Sequence, residues 1–204
     1  KSQFVDELLF IFSKIKDEET FIEALKTLYD FSDSDSISSN IYALLNTVQE
    51  HEISKFYSND PPLNQNSLLE KLIQILPEYP LIYPLIILFS LYCGNDAMVM
   101  TSRSLGKYIP KSSFKDIIKD DFWMTYLLIL AMKLEKADSL SIVYFICSII
   151  VEHYSIDLLE NVLEMIDFFD SISTLHLSEI RDEILKAVTD LNLTNSSKVK
   201  NELF

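Results

Sequence analysis

Residues 81–93 read LIYPLIILFSLYC, a stretch that places apolar side chains on every side of a helix. Residues 122–134 (FWMTYLLILAMKL) and 142–151 (IVYFICSIIV) have the same character. Because a helix that is apolar all round must be covered from all sides, the three stretches predict a central layer enclosed by amphipathic neighbours. Two-layer bundles do not need such helices, whereas stacked helical repeats do.

The rest of the chain is typical of amphipathic helices joined by short connectors. Segments with one apolar stripe at helical spacing are residues 2–16, 17–31, 155–169 and 178–191. Asp17 and Ser155 are candidate N-cap residues, and residues 67–70 (SLLE) and 113–116 (SFKD) have a capping-box pattern. The pattern as a whole predicts about ten helices and no strand.

The chain contains only two glycines, Gly94 and Gly106. Tight hairpins and phosphate-binding loops need more glycine than this, so the sequence argues against β-sandwiches, Rossmann sheets and P-loop enzymes. Of the 204 residues, 49% are apolar and 24% are charged, which indicates a globular chain with a sizeable core. We therefore predict one all-α domain over residues 1–204, built from stacked helical hairpins, or a fragment of a longer protein of that kind.

Three stretches carry a family resemblance. Residues 85–96 (LIILFSLYCGND) resemble the end of the third helix of an armadillo repeat, where an apolar run closes at a small-residue turn. Residues 24–28 (ALKTL) and 187–191 (AVTDL) are similar to the same helix in other repeats. The resemblance implies a divergent armadillo- or HEAT-like α-α superhelix, which binds a partner peptide or domain on its surface and performs no chemistry.

The charge balance limits the class of partner. The chain has 17 basic and 31 acidic residues and a formal charge of −14, so its surface repels nucleic-acid phosphates and anionic lipid headgroups. The predicted partner is therefore another protein, and no nucleic-acid partner is predicted. No apolar run reaches the ~18 to 20 residues that a bilayer crossing requires, so no membrane span is predicted.

The two cysteines indicate the compartment. Cys93 and Cys147 both lie in apolar runs, where a free thiol behaves as a small buried hydrophobe. Together with the lack of a signal peptide, this predicts an intracellular protein, cytoplasmic or nuclear. A single disulfide between the two cysteines is the alternative.

The sequence offers no catalytic set. His51, His153 and His176 do not form a metal-ligand pattern of the His-Glu-x-x-His or Glu-x-x-His type. Neither cysteine has a close histidine, and apolar neighbours raise the pKa of a thiol. We therefore predict no catalytic residue, no metal, no cofactor and no enzymatic activity.

One charge anomaly gives a candidate binding site. Between residues 97 and 119 five cations meet a single acid, Asp116, which leaves this segment at +4 in an acidic chain. The five cations recur at every fourth residue: Arg103, Lys107, Lys111, Lys115 and Lys119. Because Pro110 interrupts the segment, the pattern predicts two short helices around a turn. These cations bind an acidic or phosphorylated partner segment, or they pair internally with acids such as Asp120, Asp121 or Glu135.

Acids on the segment 155–169 form a second pattern. Asp157, Glu160, Glu164 and Asp167 recur at helical spacing, either as an acidic strip that receives a basic peptide or as the solvated face of an amphipathic helix. The sequence thus predicts a non-catalytic interaction scaffold or adaptor. The alternatives are a small-molecule or lipid carrier with an apolar cavity, and a homo-oligomer that buries Phe168 and Phe169.

Overall fold

The protein is known here from a computed structural model. The structure describes residues 14–15, 17–32, 36–37, 39–41, 43–44, 65–153, 155–172, 177–187 and 189–190. The predicted helix over residues 2–16 lies outside these residues except for Lys14 and Ile15.

The described chain is all-helical, as the sequence predicts, and it contains no strand within those ranges. The α-helices are α1 (Glu18–Phe31), α2 (Gln65–Ile75), α3 (Tyr83–Cys93), α4 (Asn95–Tyr108), α5 (Phe114–Ile117), α6 (Trp123–Lys133), α7 (Lys136–Glu152), α8 (Ile156–Ile172) and α9 (178–187). Short 3₁₀ helices at Pro80–Ile82 and Lys111–Ser113 precede α3 and α5. Residues 37, 39–41 and 43–44 are also helical.

The three apolar stretches form α3, α6 and most of α7, and they supply much of the core. α6 contacts both α3 and α7, so the three helices are neighbours. Most of their apolar side chains are buried or half-buried. The exceptions among the large ones are Tyr92, Tyr144 and Val151, which are 54%, 63% and 36% exposed, and Phe122 just before α6, which is 51% exposed. The prediction of an enclosed apolar layer is therefore confirmed for most of each helix.

A helix of small residues lies among these three. α4 contacts α2, α3, α6 and α7, and its inward side chains are short. The buried residues of α4 are Ala97, Thr101, Ser102, Ser104 and Leu105. The hydroxyls of Ser102 and Ser104 donate to the carbonyls of Val99 and Met100 at 2.8 and 2.7 Å, so two buried polar groups are satisfied within the helix. One face of α4 therefore packs in the interior with mostly short side chains, although the sequence of the helix is not apolar.

The connection between α3 and α4 is a single residue. Gly94 has φ +104° and ψ −173°, a conformation that is essentially restricted to glycine, and its amide donates to the carbonyl of Ser90 at 3.2 Å. Gly94 is therefore both the C-cap of α3 and the N-cap of α4, and Asn95 is already helical.

Capping at the other helices is mixed. Asp17 accepts a hydrogen bond from the amide of Thr20 at 2.8 Å, which lowers the pKa of its carboxyl group, and Ser155 accepts from the amide of Leu158 at 3.0 Å. Both are the predicted caps. The two capping boxes do not form: Ser67 lies inside α2 and donates to Glu18, and Ser113 makes no capping bond with its side chain.

None of the helices within the described ranges combines the length and the hydropathy that crossing a bilayer requires.

Candidate functional site

The five predicted cations are all exposed, but they do not gather at one point. Nη2 of Arg103 lies 2.7 Å from Oδ1 of Asp138, and Nζ of Lys111 lies 3.3 Å from Oε2 of Glu152. Asp138 and Glu152 stand near opposite ends of α7, about 21 Å apart along the helix axis. The cations therefore extend along α7 and do not converge on one small ligand.

Internal pairing accounts for three of the five cations. Besides Arg103 and Lys111, Lys119 pairs with Asp116 at 3.1 Å. The ion pairs of these three cations join them to Asp138, Glu152 and Asp116, whereas the sequence suggested Asp120, Asp121 and Glu135 as partners.

Lys107 and Lys115 form no ion pair with any described residue. The ammonium of Lys107 lies 4.8 Å from the centroid of the Tyr108 ring, a cation–π contact. These two lysines are the part of the predicted basic site that internal pairing leaves available.

The acidic residues predicted on residues 155–169 lie on α8 and are exposed as a group: Asp157, Glu160, Glu164 and Asp167. Oδ1 of Asp167 accepts a hydrogen bond from Nε of Arg181 at 3.0 Å, which joins α8 to α9. The other three carboxylates form no ion pair within the described part of the chain.

A surface groove with a volume of about 470 Å³ lies between α8 and the segment that enters α6; we call it the α8 groove. It is lined by Ile118, Asp120, Asp121, Trp123, Met124, Leu158, Asn161, Val162, Glu164, Met165 and Phe168. Trp123, Met124 and Val162 are buried, so the floor is apolar, whereas Asp121 and Glu164 on the rim are exposed. The groove thus combines an apolar floor with an acidic rim.

Large apolar side chains project beside the α8 groove. Phe168 is 57% exposed, and Phe122, next to the lining residues Asp121 and Trp123, is 51% exposed. Ile172, one turn beyond Phe168 on α8, is 65% exposed. The Phe168 ring meets the Phe169 ring edge-on at 5.7 Å between centroids.

Sequence reasoning placed the acids of α8 but missed the groove. The signal was available in part, because Leu158, Val162 and Met165 share one face of α8 with Glu164 nearby. The opposite wall comes from residues 118–124, and only the packing of α8 against α6 brings that segment into reach.

A second cavity, of about 410 Å³, lies between α6, α7 and α9. Apolar side chains such as Leu140 and Leu177 line it together with the acids Glu179, Asp182 and Glu183 and with Lys136. Nζ of Lys136 lies 2.6 Å from Oε2 of Glu179, and this hydrogen bond raises the pKa of the lysine. The alternative of a small-molecule or lipid carrier stays a prediction.

The cysteines are both free thiols in the structure, so the alternative of a disulfide is wrong. Burial, with a smaller effect from the charge of Glu183, raises the pKa of Cys147 from 9.0 to about 11. Such a thiol stays protonated at neutral pH, as the apolar neighbours in the sequence indicate. Within the described residues, no three His, Cys, Asp or Glu side chains group as metal ligands.

These features define an all-α protein with an apolar, acid-rimmed groove on its surface. Comparisons of the chain with protein-family models, with curated proteins and with solved structures find no match. The armadillo- or HEAT-like resemblance therefore stays a prediction.

Proposed function

We propose that this chain is a non-catalytic protein-interaction module that binds a segment of a partner protein in the α8 groove. The observation that carries the proposal is the exposed ring of Phe168 beside the apolar floor of that groove. Aromatic side chains next to a surface recess are the usual anchors of protein–protein interfaces.

The location of the groove supports the same proposal. Packed side chains fill the core between α3, α4, α6 and α7. The groove lies outside this core, at the edge of α6 that α8 covers only in part. A partner segment reaches this site without any rearrangement of the core. Burying Phe168 and its neighbours on association removes apolar surface from water, which favours binding.

The test compares Phe168→Asp with the matched control Tyr144→Asp. Tyr144 is 63% exposed on α7 and does not line the groove, so both variants add one acid at an exposed aromatic position. We expect both to keep the helical circular dichroism and the unfolding midpoint of the wild type. In quantitative affinity capture, partners retained by the wild type and by Tyr144→Asp are lost by Phe168→Asp. Equal capture by the two variants would contradict the proposal.

The basic face gives a second candidate surface for the same function. Lys107 and Lys115 are exposed and have no ion pair with described residues, which favours an acidic or phosphorylated partner segment. The ion pairs of Arg103, Lys111 and Lys119 are exposed and therefore weak, so a partner carboxylate or phosphate can replace them. If this basic face binds the partner, charge reversal of Lys107 and Lys115 lowers the affinity for the partner. An unchanged affinity would rule out the basic face as a binding surface.

The arrangement of the helices as armadillo- or HEAT-like repeats is part of the proposal. It is supported by the helical hairpins formed by neighbours such as α3 with α4 and α6 with α7. The lack of enzymatic activity, the absence of a cofactor and the cytoplasmic or nuclear location remain predictions of the sequence.

A further inference from the structure

We infer that the segment bound in the α8 groove is basic and amphipathic: apolar side chains enter the groove, and flanking lysines or arginines meet its acidic rim. This inference rests on the proposed function, since it names the chemistry of the segment bound at the same site.

The ionisable residues that line the groove are all acids. They are Asp120, Asp121 and Glu164, and no lysine or arginine is among the lining residues that the structure describes. Oδ1 of Asp120 accepts a hydrogen bond from the amide of Phe122 at 2.9 Å, which fixes the turn that enters α6. Asp121 and Glu164 are exposed and form no ion pair with described residues.

The nearest cations in the sequence and on the neighbouring helix are already paired with other acids. Lys119, which directly precedes Asp120, pairs with Asp116, and Arg181 of α9 pairs with Asp167. The exposed rim acids Asp121 and Glu164 thus have no ion-pair partner among the described residues, as is also true of Asp157 and Glu160 farther along α8. A partner cation meets no competing lysine or arginine at this rim.

The negative charge continues along α8 beside the groove. Asp157, Glu160 and Glu164 are exposed at spacings of three and four residues, so they form one row about 10 Å long on the helix. Like charges in a row repel one another, and cations of a bound segment relieve that repulsion. The apolar floor and the acidic row run along the same helix, which is the arrangement that an amphipathic segment complements.

The experiment selects binding peptides from a random displayed library on the full chain, with Phe168→Asp as the counter-selection. We expect peptides whose capture depends on Phe168 to be enriched in Lys and Arg next to apolar residues. Enriched peptides that depend on Phe168 but carry no excess of cations would overturn the basic partner and leave the groove as a docking site. Selection in which no peptide depends on Phe168 would overturn both.

The best peptide is then titrated into two double variants of the protein. One carries Asp121→Asn and Glu164→Gln, and the control carries Asp182→Asn and Glu183→Gln. Both pairs remove two negative charges from the protein, but only the first pair acts at the groove. We expect the first pair to weaken binding by about tenfold at low ionic strength, since exposed ion pairs contribute up to about 1 kcal/mol each, and the control pair to have little effect. Equal weakening by both pairs would show attraction by net charge alone and overturn the inference.

A second copy of the chain is the competing occupant. Analytical sedimentation of the wild type and of Phe168→Asp measures whether the chain self-associates through the groove. A monomer in both cases supports a separate basic partner, whereas a dimer that dissociates with Phe168→Asp assigns the groove to self-association and overturns the inference.

Discussion

Arg103 of α4 donates from Nη2 to Oδ1 of Asp138 at 2.7 Å and so joins α4 to α7 at the protein surface. The Arg103 side chain is 66% exposed and that of Asp138 is 21% exposed. A pair so open to solvent contributes little to stability although its geometry is good.

A double-mutant cycle on this pair measures that contribution. We expect Arg103→Ala and Asp138→Ala to show a coupling below about 1 kcal/mol in denaturant unfolding. Because the attraction is screened, the coupling decreases as salt is raised. A coupling of several kcal/mol would mean that the pair is a main support of the fold and is not free to exchange partners.

The two glycines respond oppositely to alanine. Gly94→Ala forces a β-carbon into a backbone conformation with φ +104°, so we expect a loss of about 1 to 3 kcal/mol although no atom lies within 4 Å of that carbon. Gly106→Ala places its β-carbon 3.7 Å from Cβ of Phe145, an ordinary contact, and adds helix propensity. We expect a gain of about 0.5 to 1 kcal/mol in urea unfolding. The same sign for both would contradict the conformational argument.

Substitution of Tyr83 measures what a buried hydroxyl without a hydrogen-bond partner costs in folding stability. Its oxygen is buried and has no hydrogen-bond partner among the described residues, and burial raises the pKa of the phenol well above 10.0. Tyr83→Phe removes the unpaired group, so we expect the free energy of unfolding to stay constant or to rise by about 1 kcal/mol.

Ser90→Ala is the control for Tyr83→Phe. The Ser90 hydroxyl is equally buried but donates to the carbonyl of Ile87 at 2.7 Å. We expect this variant to lose about 1 kcal/mol in thermal or denaturant unfolding. A larger loss for Tyr83→Phe than for Ser90→Ala would reveal a partner for the tyrosine.

The raised pKa of Cys147 predicts that the free energy of unfolding falls at alkaline pH. Its pKa is raised from 9.0 to about 11, so well below pH 9 the thiol is protonated in both folded and unfolded chains and contributes no pH dependence. Between pH 9 and 11 the unfolded chain releases the proton first, and the free energy of unfolding falls by no more than about 3 kcal/mol.

Denaturant unfolding of the wild type and of Cys147→Ala between pH 7 and 11 measures that loss. The difference in unfolding free energy between the two proteins should be constant well below pH 9 and should then shrink. A difference that stays constant up to pH 11 would place the thiol in contact with solvent.

Local signals in the sequence were reliable where the physics is local. Asp17 and Ser155 cap their helices because an oxygen side chain just before a helix reaches the free amides of the first turn. Ser67 has the sequence pattern of an N-cap, yet Gln65 is already helical. The Ser67 hydroxyl instead donates a hydrogen bond to Oε2 of Glu18 at 2.8 Å. Glu18 also receives Lys71 at 2.9 Å, so a contact from α1 overrides the local pattern.

The amino-acid pattern alone determined the all-α class and the enclosed apolar helices, because helix periodicity and the need to cover apolar faces are properties of each segment by itself. Tertiary structure decided three things: the interior position of α4, the internal partners of Arg103, Lys111 and Lys119, and the meeting of residues 118–124 with α8. Each of these depends on which segments distant in sequence come into contact. That choice is made by the packing of all the helices together, so no single stretch encodes it.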